Sequence, residues 1–231
     1  MAYVYPSKMR ATRDLLRRRN HLMRKRAALY AHIQNTFSQY NLPQSLGRIA
    51  RPQNRKGIVE RFYQTPAQEN IAVDLQMIET YDLILSDLER YIIKSANHHD
   101  PVSYALLKTI PGVGRILALV ILYEIQDIKR FPRVQDFVSY CRLVKCARES
   151  NGKKYGSSGK KIGNAHLKWA FSEAAVLFLK GNEPAKRYLD RLTNKHGKAK
   201  ALSILAHKLG RAVYFMLKRK EAFNQNKFLR I

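Results

Sequence analysis

Leu15, Leu22 and Leu29 fall seven residues apart in an arginine-rich stretch, and Ile33, Phe37 and Tyr40 continue the apolar stripe at helical spacing. That period predicts one long helix over residues 10–37, with Arg17, Arg18, Arg19, Arg24, Lys25 and Arg26 on its remaining surface. Pro43, Pro52 and Pro66 punctuate the next stretch of chain, so the helix ends and a connection begins. Ile71, Ile78, Leu85 and Ile92 then step by seven again, supported by Leu75, Tyr81 and Leu88. A second helix is expected from about residue 69 to 95. Two such helices pair either within the chain, as an antiparallel hairpin, or between chains, as a coiled coil.

Beyond Asp100-Pro101 the apolar pattern shortens. It predicts helices at 102–109, 114–126, 132–143, 164–180, 184–196 and 198–223. No stretch alternates with a convincing period of two, so the expected class is all-α. The expected division is a helical hairpin or coiled-coil region for linkage and assembly at 1–100, then a compact basic helical domain at 101–231. On the segment "AHLKWAFSEAAVLFL", Trp169, Phe171, Leu177 and Phe178 are assigned to the core. The helix at 198–223 pairs an apolar stripe with a cationic face, for packing plus phosphate contact, and its His207 is read as scaffold rather than as a ligand.

Charge changes the picture. The 231 residues hold 43 Lys and Arg against 17 Asp and Glu, a formal net charge of +26. That excess implies a polyanionic partner, and nucleic acid before an anionic membrane. It is unevenly placed: residues 1–59 carry thirteen Lys and Arg with Asp14 as the single acid, whereas residues 60–100 carry eight acids against Arg61, Arg90 and Lys94. Those acids are read as a solvated helical face. The longest apolar run, "ILALVILYEI", is about half the roughly 20 residues a bilayer requires, and the chain's start lacks a signal-peptide pattern. Cys141 and Cys146 offer no disulfide framework, and zinc ligation with His166, His196 or His207 would lack a second cysteine pair. Buried thiols in a reduced cytoplasmic setting are the expectation.

Two segments carry candidate chemistry. In "LKTIPGVGRILALVI" two short helices meet at "PGVG", which resembles the helix-hairpin-helix motif of DNA-binding proteins. Gly112 and Gly114 permit a tight turn, the first N–H groups of the second helix are free for a phosphate, and Arg115 adds charge there. Such contacts hold the backbone without reading bases. The bland alternative is a corner whose glycines serve packing alone. The other segment, "ESNGKKYGSSGKKIGN", has four glycines, four lysines and three serines around one acid. Gly152 with Lys153, Lys154, Lys160 and Lys161 suits close approach of a phosphate, and the loop is expected to share one cradle with "PGVG".

The order of these motifs resembles the C-terminal domain of the Piv/MooV-type insertion-sequence transposases. A proline-glycine hairpin is followed there by an "AEIGDIxRF"-like run, here Tyr123 to Ile128 with Arg130-Phe131. A "YxGL" step comes next, here Tyr140 to Leu143 with Cys141-Arg142 in place of Ala-Gly. A "SGGK" step matches Ser150-Asn151-Gly152-Lys153, and "KxGN" matches Lys161 to Asn164. "YVYPSKMRATRDLLRRRNHLMRKR" resembles the family's stretch between catalytic half and helical linker.

The resemblance implies DNA cleavage and rejoining by two parts. One is an acidic, magnesium-binding RuvC-like domain; the other is a serine that attacks the DNA phosphate. In some members a structured guide RNA directs the choice of target. Carried over, the nucleophile falls on Ser150, with Ser157 and Ser158 as fallbacks, and Asn164 joins the DNA contacts. With so few acids near its start, the chain is expected to hold no metal site of its own, whether truncated or complemented by a partner chain. Activity then depends on carboxylates supplied elsewhere. A homo-oligomer through the N-terminal helices is expected, without membrane contact. The competing readings are a non-catalytic nucleic-acid-binding remnant and a structural RNA-binding protein.

Overall fold

The computed structural model describes residues 3–43, 47–144, 147–157 and 162–230, with the backbone alone for 147–150 and 154–157. The chain divides into two units, residues 14–92 and residues 1–13 with 93–231. Residues 1–13 and 93–100 thus fold with the second part of the chain rather than with the hairpin.

Helices α1 (Ser7–Gln39) and α2 (Thr65–His99) extend past both predicted ends. Within residues 14–92 they run antiparallel, because contacts that ascend α1 descend α2. Arg19 meets Glu89 at 2.6 Å, Arg26 meets Asp82, and His32 meets Asp74 at 2.5 Å. The seven-step stripe of α2 is the seam: Ile71, Ile78, Leu85 and Ile92 are all buried. On α1 the register differs slightly. Leu16, Leu22, Ile33 and Phe37 are buried, whereas Leu15 and Leu29 are half-buried. The connection folds back, so that Ile49, Ile58 and Phe62 close the core at the hairpin's turn. Pairing within the chain therefore covers the α2 stripe fully and an α1 stripe shifted from the expected one.

The acids of this unit are not simply solvated, as sequence position implied. Asp82 takes both Arg26 and Arg55, the latter at 2.7 Å. Arg55 is buried and also donates to the carbonyls of Ile49 and Ala50. Arg19 and Arg26 therefore face α2 rather than solvent. The exposed Arg90–Asp87 pair is the expected surface type, worth little to stability.

In the second unit, α3 (Pro101–Lys108) starts where Asp100 accepts the Ser103 amide at 2.9 Å, with proline in the first turn. Helix α4 (Arg115–Ile125) is buried from Leu117 to Ile125 and packs against α3 and α6 (Ala165–Leu177). A helix apolar on every side belongs at the centre of a core. Around it lie α5 (Val134–Tyr140), α7 (Glu183–His196), α8 (Lys198–Arg219) and the short α9 (Gln225–Leu229). Helix α8 packs on α5, α6 and α7, and Tyr214 donates to the carbonyl of Phe131 or Pro132, at 3.1 and 3.0 Å.

The class is all-α with one departure among the described residues, an antiparallel pair of strands, β1 (Ala147–Ser150) and β2 (Lys153–Ser157). Two positions of the motif resemblance carry unexpected side chains. Gln126 and Arg142 stand where "AEIGDI" and "YxGL" write glycine, and their φ angles are +64° and +56°. The backbone keeps a glycine-type shape there although the side chains differ, at a cost of order 1 kcal/mol each.

Candidate nucleic-acid interface

The segment carrying Ser150 is built as a turn. Asn151 and Gly152 have φ of +50° and +73°, and Ser150 pairs with Lys153 across the ladder. A two-residue hairpin loop with both central residues at positive φ is the type I′ arrangement that Asn-Gly favours. Ser150 thus ends β1, and the exposed Lys153 opens β2. A register irregularity lies between Ala147 and Glu149. The side chains of Ser150, Lys154 and Ser157 lie outside the described residues, as do Cys146, Ser158, Lys160 and Lys161.

The next step in the chain, "GN", is a buried joint. Gly163 has φ of +79°, and a Cβ there would stand 2.6 Å from the Tyr140 carbonyl oxygen. Asn164 caps α6, its Oδ1 accepting from the amides of His166 and Leu167 at 2.9 and 3.1 Å. Its Nδ2 donates to the Glu124 carboxylate at 2.7 Å and lies 3.3 Å from the Tyr140 hydroxyl, while its own amide donates to the Tyr140 carbonyl. At 7% exposure, Asn164 has its polar atoms committed to the fold rather than presented to DNA. Glu124, which sequence reasoning passed over, is 4% exposed at the centre of this joint. The signal was available: an acid inside the run "ILALVILYEI" is costly to bury unless something holds it.

The "PGVG" corner lies at the other end of α6. Gly112 has φ of +81°, and a Cβ on it would fall 2.5 Å from the Leu177 carbonyl carbon and 2.7 Å from the Phe178 nitrogen. Packing alone accounts for this glycine. Gly114 is different: its φ is −75°, and an added Cβ would meet nothing within 4 Å. It caps α4 without a side-chain hydrogen bond, so the first amides of α4 lack intrahelical partners. Arg115 is exposed beside them, close enough to act on Tyr104, whose hydroxyl pKa is nonetheless raised by burial. Lys108 stands 4.6 Å over the Tyr104 ring.

The thirteen residues of α6 separate Gly163-Asn164 from the corner by about 20 Å. The Gly163-Asn164 joint and the corner are therefore two points along one helix, while the Ser150 side chain, on which the expected single cradle depends, lies outside the described residues. Between them α6 exposes Lys168 and Trp169, the indole at 43%. The core assignment of Trp169 is thus corrected; Phe171 and Phe178 are indeed buried there, while Leu177 is half-buried.

Cys141 is a buried free thiol, and burial raises its pKa well above the usual range. Burial and Arg211 together lower the pKa of His207. Among the described residues no three His, Cys, Asp or Glu gather where they could hold a metal ion. Asp74, Asp82 and Glu89 are engaged by basic side chains. These three carboxylates do not fit a magnesium site. Among the described residues no helix is long and apolar enough to cross a membrane.

The basic unit thus carries a corner that presents helix-end amides and a turn that bears Ser150. Residues 104–190, from within α3 into α7, match the sequence model of the transposase IS116/IS110/IS902 family. The transposase for insertion sequence element IS1111A of Coxiella burnetii (strain RSA 493 / Nine Mile phase I) is 24% identical over 227 residues, covering 90% of this chain and 59% of that protein. The chain thus spans less than two-thirds of that relative's length. Both findings support an insertion-sequence transposase.

Proposed function

We propose that this chain is the DNA-binding, serine-bearing part of a transposase of the Piv/MooV type, acting in DNA transposition and recombination. The observation that carries the reading is the turn Ser150-Asn151-Gly152-Lys153. It falls within the family match, and its positive φ values at Asn151 and Gly152 hold Ser150 at the tip of a two-stranded ladder. In the proposed reaction Ser150 Oγ attacks a phosphodiester. An Oγ–P bond forms, one P–O bond of the strand breaks, and the serine's hydroxyl proton ends on the departing deoxyribose oxygen. A serine hydroxyl is weak at neutral pH without help, and the carboxylates that assist are expected from outside this chain. Lys153, with Lys154, Lys160 and Lys161, supplies positive charge near the phosphate. Gly114 and Arg115 form a second, backbone-holding contact of helix-hairpin-helix type.

DNA is the proposed partner, with a structured RNA as a further candidate. Duplex affinity is expected to fall steeply with salt. Six neutralised phosphates would give a log–log slope of about −5. Titration of duplex DNA and folded RNA over a range of salt concentrations checks this, and equal affinity for every polyanion would overturn it. A non-catalytic binder remains the second reading, because the net charge of +26 and the open Gly114 corner require no serine chemistry.

Self-association belongs to the same proposal, through a surface other than the heptad seam. Val73, Met77, Ile84 and Tyr91 are exposed on α2, with Thr80 and Asp87 completing a four–three spacing. No lysine or arginine lies between Arg61 and Arg90, so this face is where two copies of a cationic chain meet with least repulsion. A Met77→Lys variant is expected to sediment as a smaller species than its parent, with an unchanged melting temperature.

A further inference from the structure

Asn164, Glu124 and Tyr140 come from three separated stretches of sequence and meet where Tyr140 and Asn164 close the two ends of the segment that carries the serine turn. Capping alone would need only the Asn164 oxygen. Its Nδ2 is nevertheless directed at a buried carboxylate 2.7 Å away. An ionised carboxylate only accepts hydrogen bonds. Facing Glu124, the asparagine has a single orientation, with nitrogen toward the acid and oxygen toward the amides of α6. Tyr140 is held on its other side as well, its ring stacked 4.6 Å from Arg130, which also lies 4.2 Å from the Tyr3 ring. Gly163 closes against the Tyr140 carbonyl where no side chain fits. At Gly163-Asn164 the chain therefore joins α6 through a tightly packed joint.

We propose that Glu124 is a positioning residue: by orienting Asn164 against Tyr140 it fixes the base of the 147–157 hairpin and so the placement of Ser150. The inference rests on the reading of that hairpin as the reactive element, but its structural content can be measured separately. Charged and ionisable groups at this joint include Tyr140 of α5, Arg130 stacked on it and, from the N-terminal segment, Tyr5 and Arg13. Arg13 and Glu124 both act on the Tyr5 hydroxyl.

Two variants of the whole chain test it, read by hydrogen exchange of the 147–157 amides and by melting. Asparagine and aspartate are equally good helix caps, so a purely capping role makes Asn164→Asp neutral. Positioning by Glu124 makes it harmful, because two carboxylates at hydrogen-bond distance cannot both ionise. At about pH 8 the hairpin amides of Asn164→Asp are expected to exchange about tenfold faster than in the parent after correction for intrinsic rates. Protection should return as the pH is lowered and the pair takes up a shared proton.

Glu124→Gln, which keeps an acceptor, should protect the hairpin nearly as well as the parent. Glu124→Leu should lose that protection while α8 amides stay unchanged. Hairpin exchange unaltered in Asn164→Asp at high and low pH alike overturns the proposal, and that variant decides the matter should Glu124→Leu not fold. Ser150→Ala leaves hairpin exchange as in the parent, so failure of the nucleophile reading and failure of this one are distinguishable.

Discussion

Ser150→Ala is expected to reduce strand transfer by about 10³-fold or more while changing duplex affinity less than about twofold. The asymmetry is the point of the experiment. Removing a nucleophile removes the bond-forming atom, so no transition-state interaction remains to be strengthened by its neighbours. Binding, by contrast, draws on lysines and helix-end amides spread over the unit, and one neutral hydroxyl contributes little to a salt-dependent equilibrium. The assay uses the chain joined to, or complemented by, the acidic domain implied by the family resemblance, with strand-transfer products resolved on denaturing gels. Ser157→Ala serves as the control and should retain activity. Undiminished transfer by Ser150→Ala would end the nucleophile reading and leave the non-catalytic binder. A matching loss in Lys153→Ala of about tenfold would place positive charge beside the reacting phosphate.

The second large effect separates two glycines that look alike in "PGVG". Gly112→Ala must hold alanine at φ of +81° with its Cβ 2.5–2.7 Å from backbone atoms of Leu177 and Phe178. Left-handed backbone costs roughly 1 kcal/mol and overpacking against backbone about 1–3 more. A loss near 3 kcal/mol is expected, lowering the melting temperature by about 10 °C for a chain of this size. Gly114→Ala has an ordinary φ and an unoccupied direction for its Cβ, so only about 0.5–1 kcal/mol of capping preference is at stake. Its effect should instead appear in DNA binding, about tenfold weaker, because the methyl group stands in front of the amides offered to a phosphate. Thermal melts and salt-matched titrations of both variants check the division. Equal binding by Gly114→Ala would return both glycines to a packing role.

Much of the first unit was legible, because heptad spacing reports which face of a helix is covered. Ile71, Ile78, Leu85 and Ile92 are buried as their period implies. What covers them is a matter of topology, which a stripe cannot state, and the chain itself supplies the answer. The role of Asp74, Asp82 and Glu89 was hidden for the same reason: an acid on a helix looks solvated until the basic side chains of α1 stand opposite. Around Ser150 the sequence offered more than was taken. Asn-Gly is the strongest short-range hairpin signal, but the flanking lysines and glycines masked the alternation expected of strands. Trp169 shows a real limit. Helix α6 is apolar on nearly all sides, so periodicity does not say which large residue faces outward, and packing against α4 and α8 decides it.

Helix α6 can also be regarded as a ruler. A duplex covers its length of about 20 Å in roughly six base pairs at 3.4 Å of rise. The separation between Gly163, where the serine segment rejoins the fold, and Gly112 at the corner is thereby counted out in turns of a protein helix.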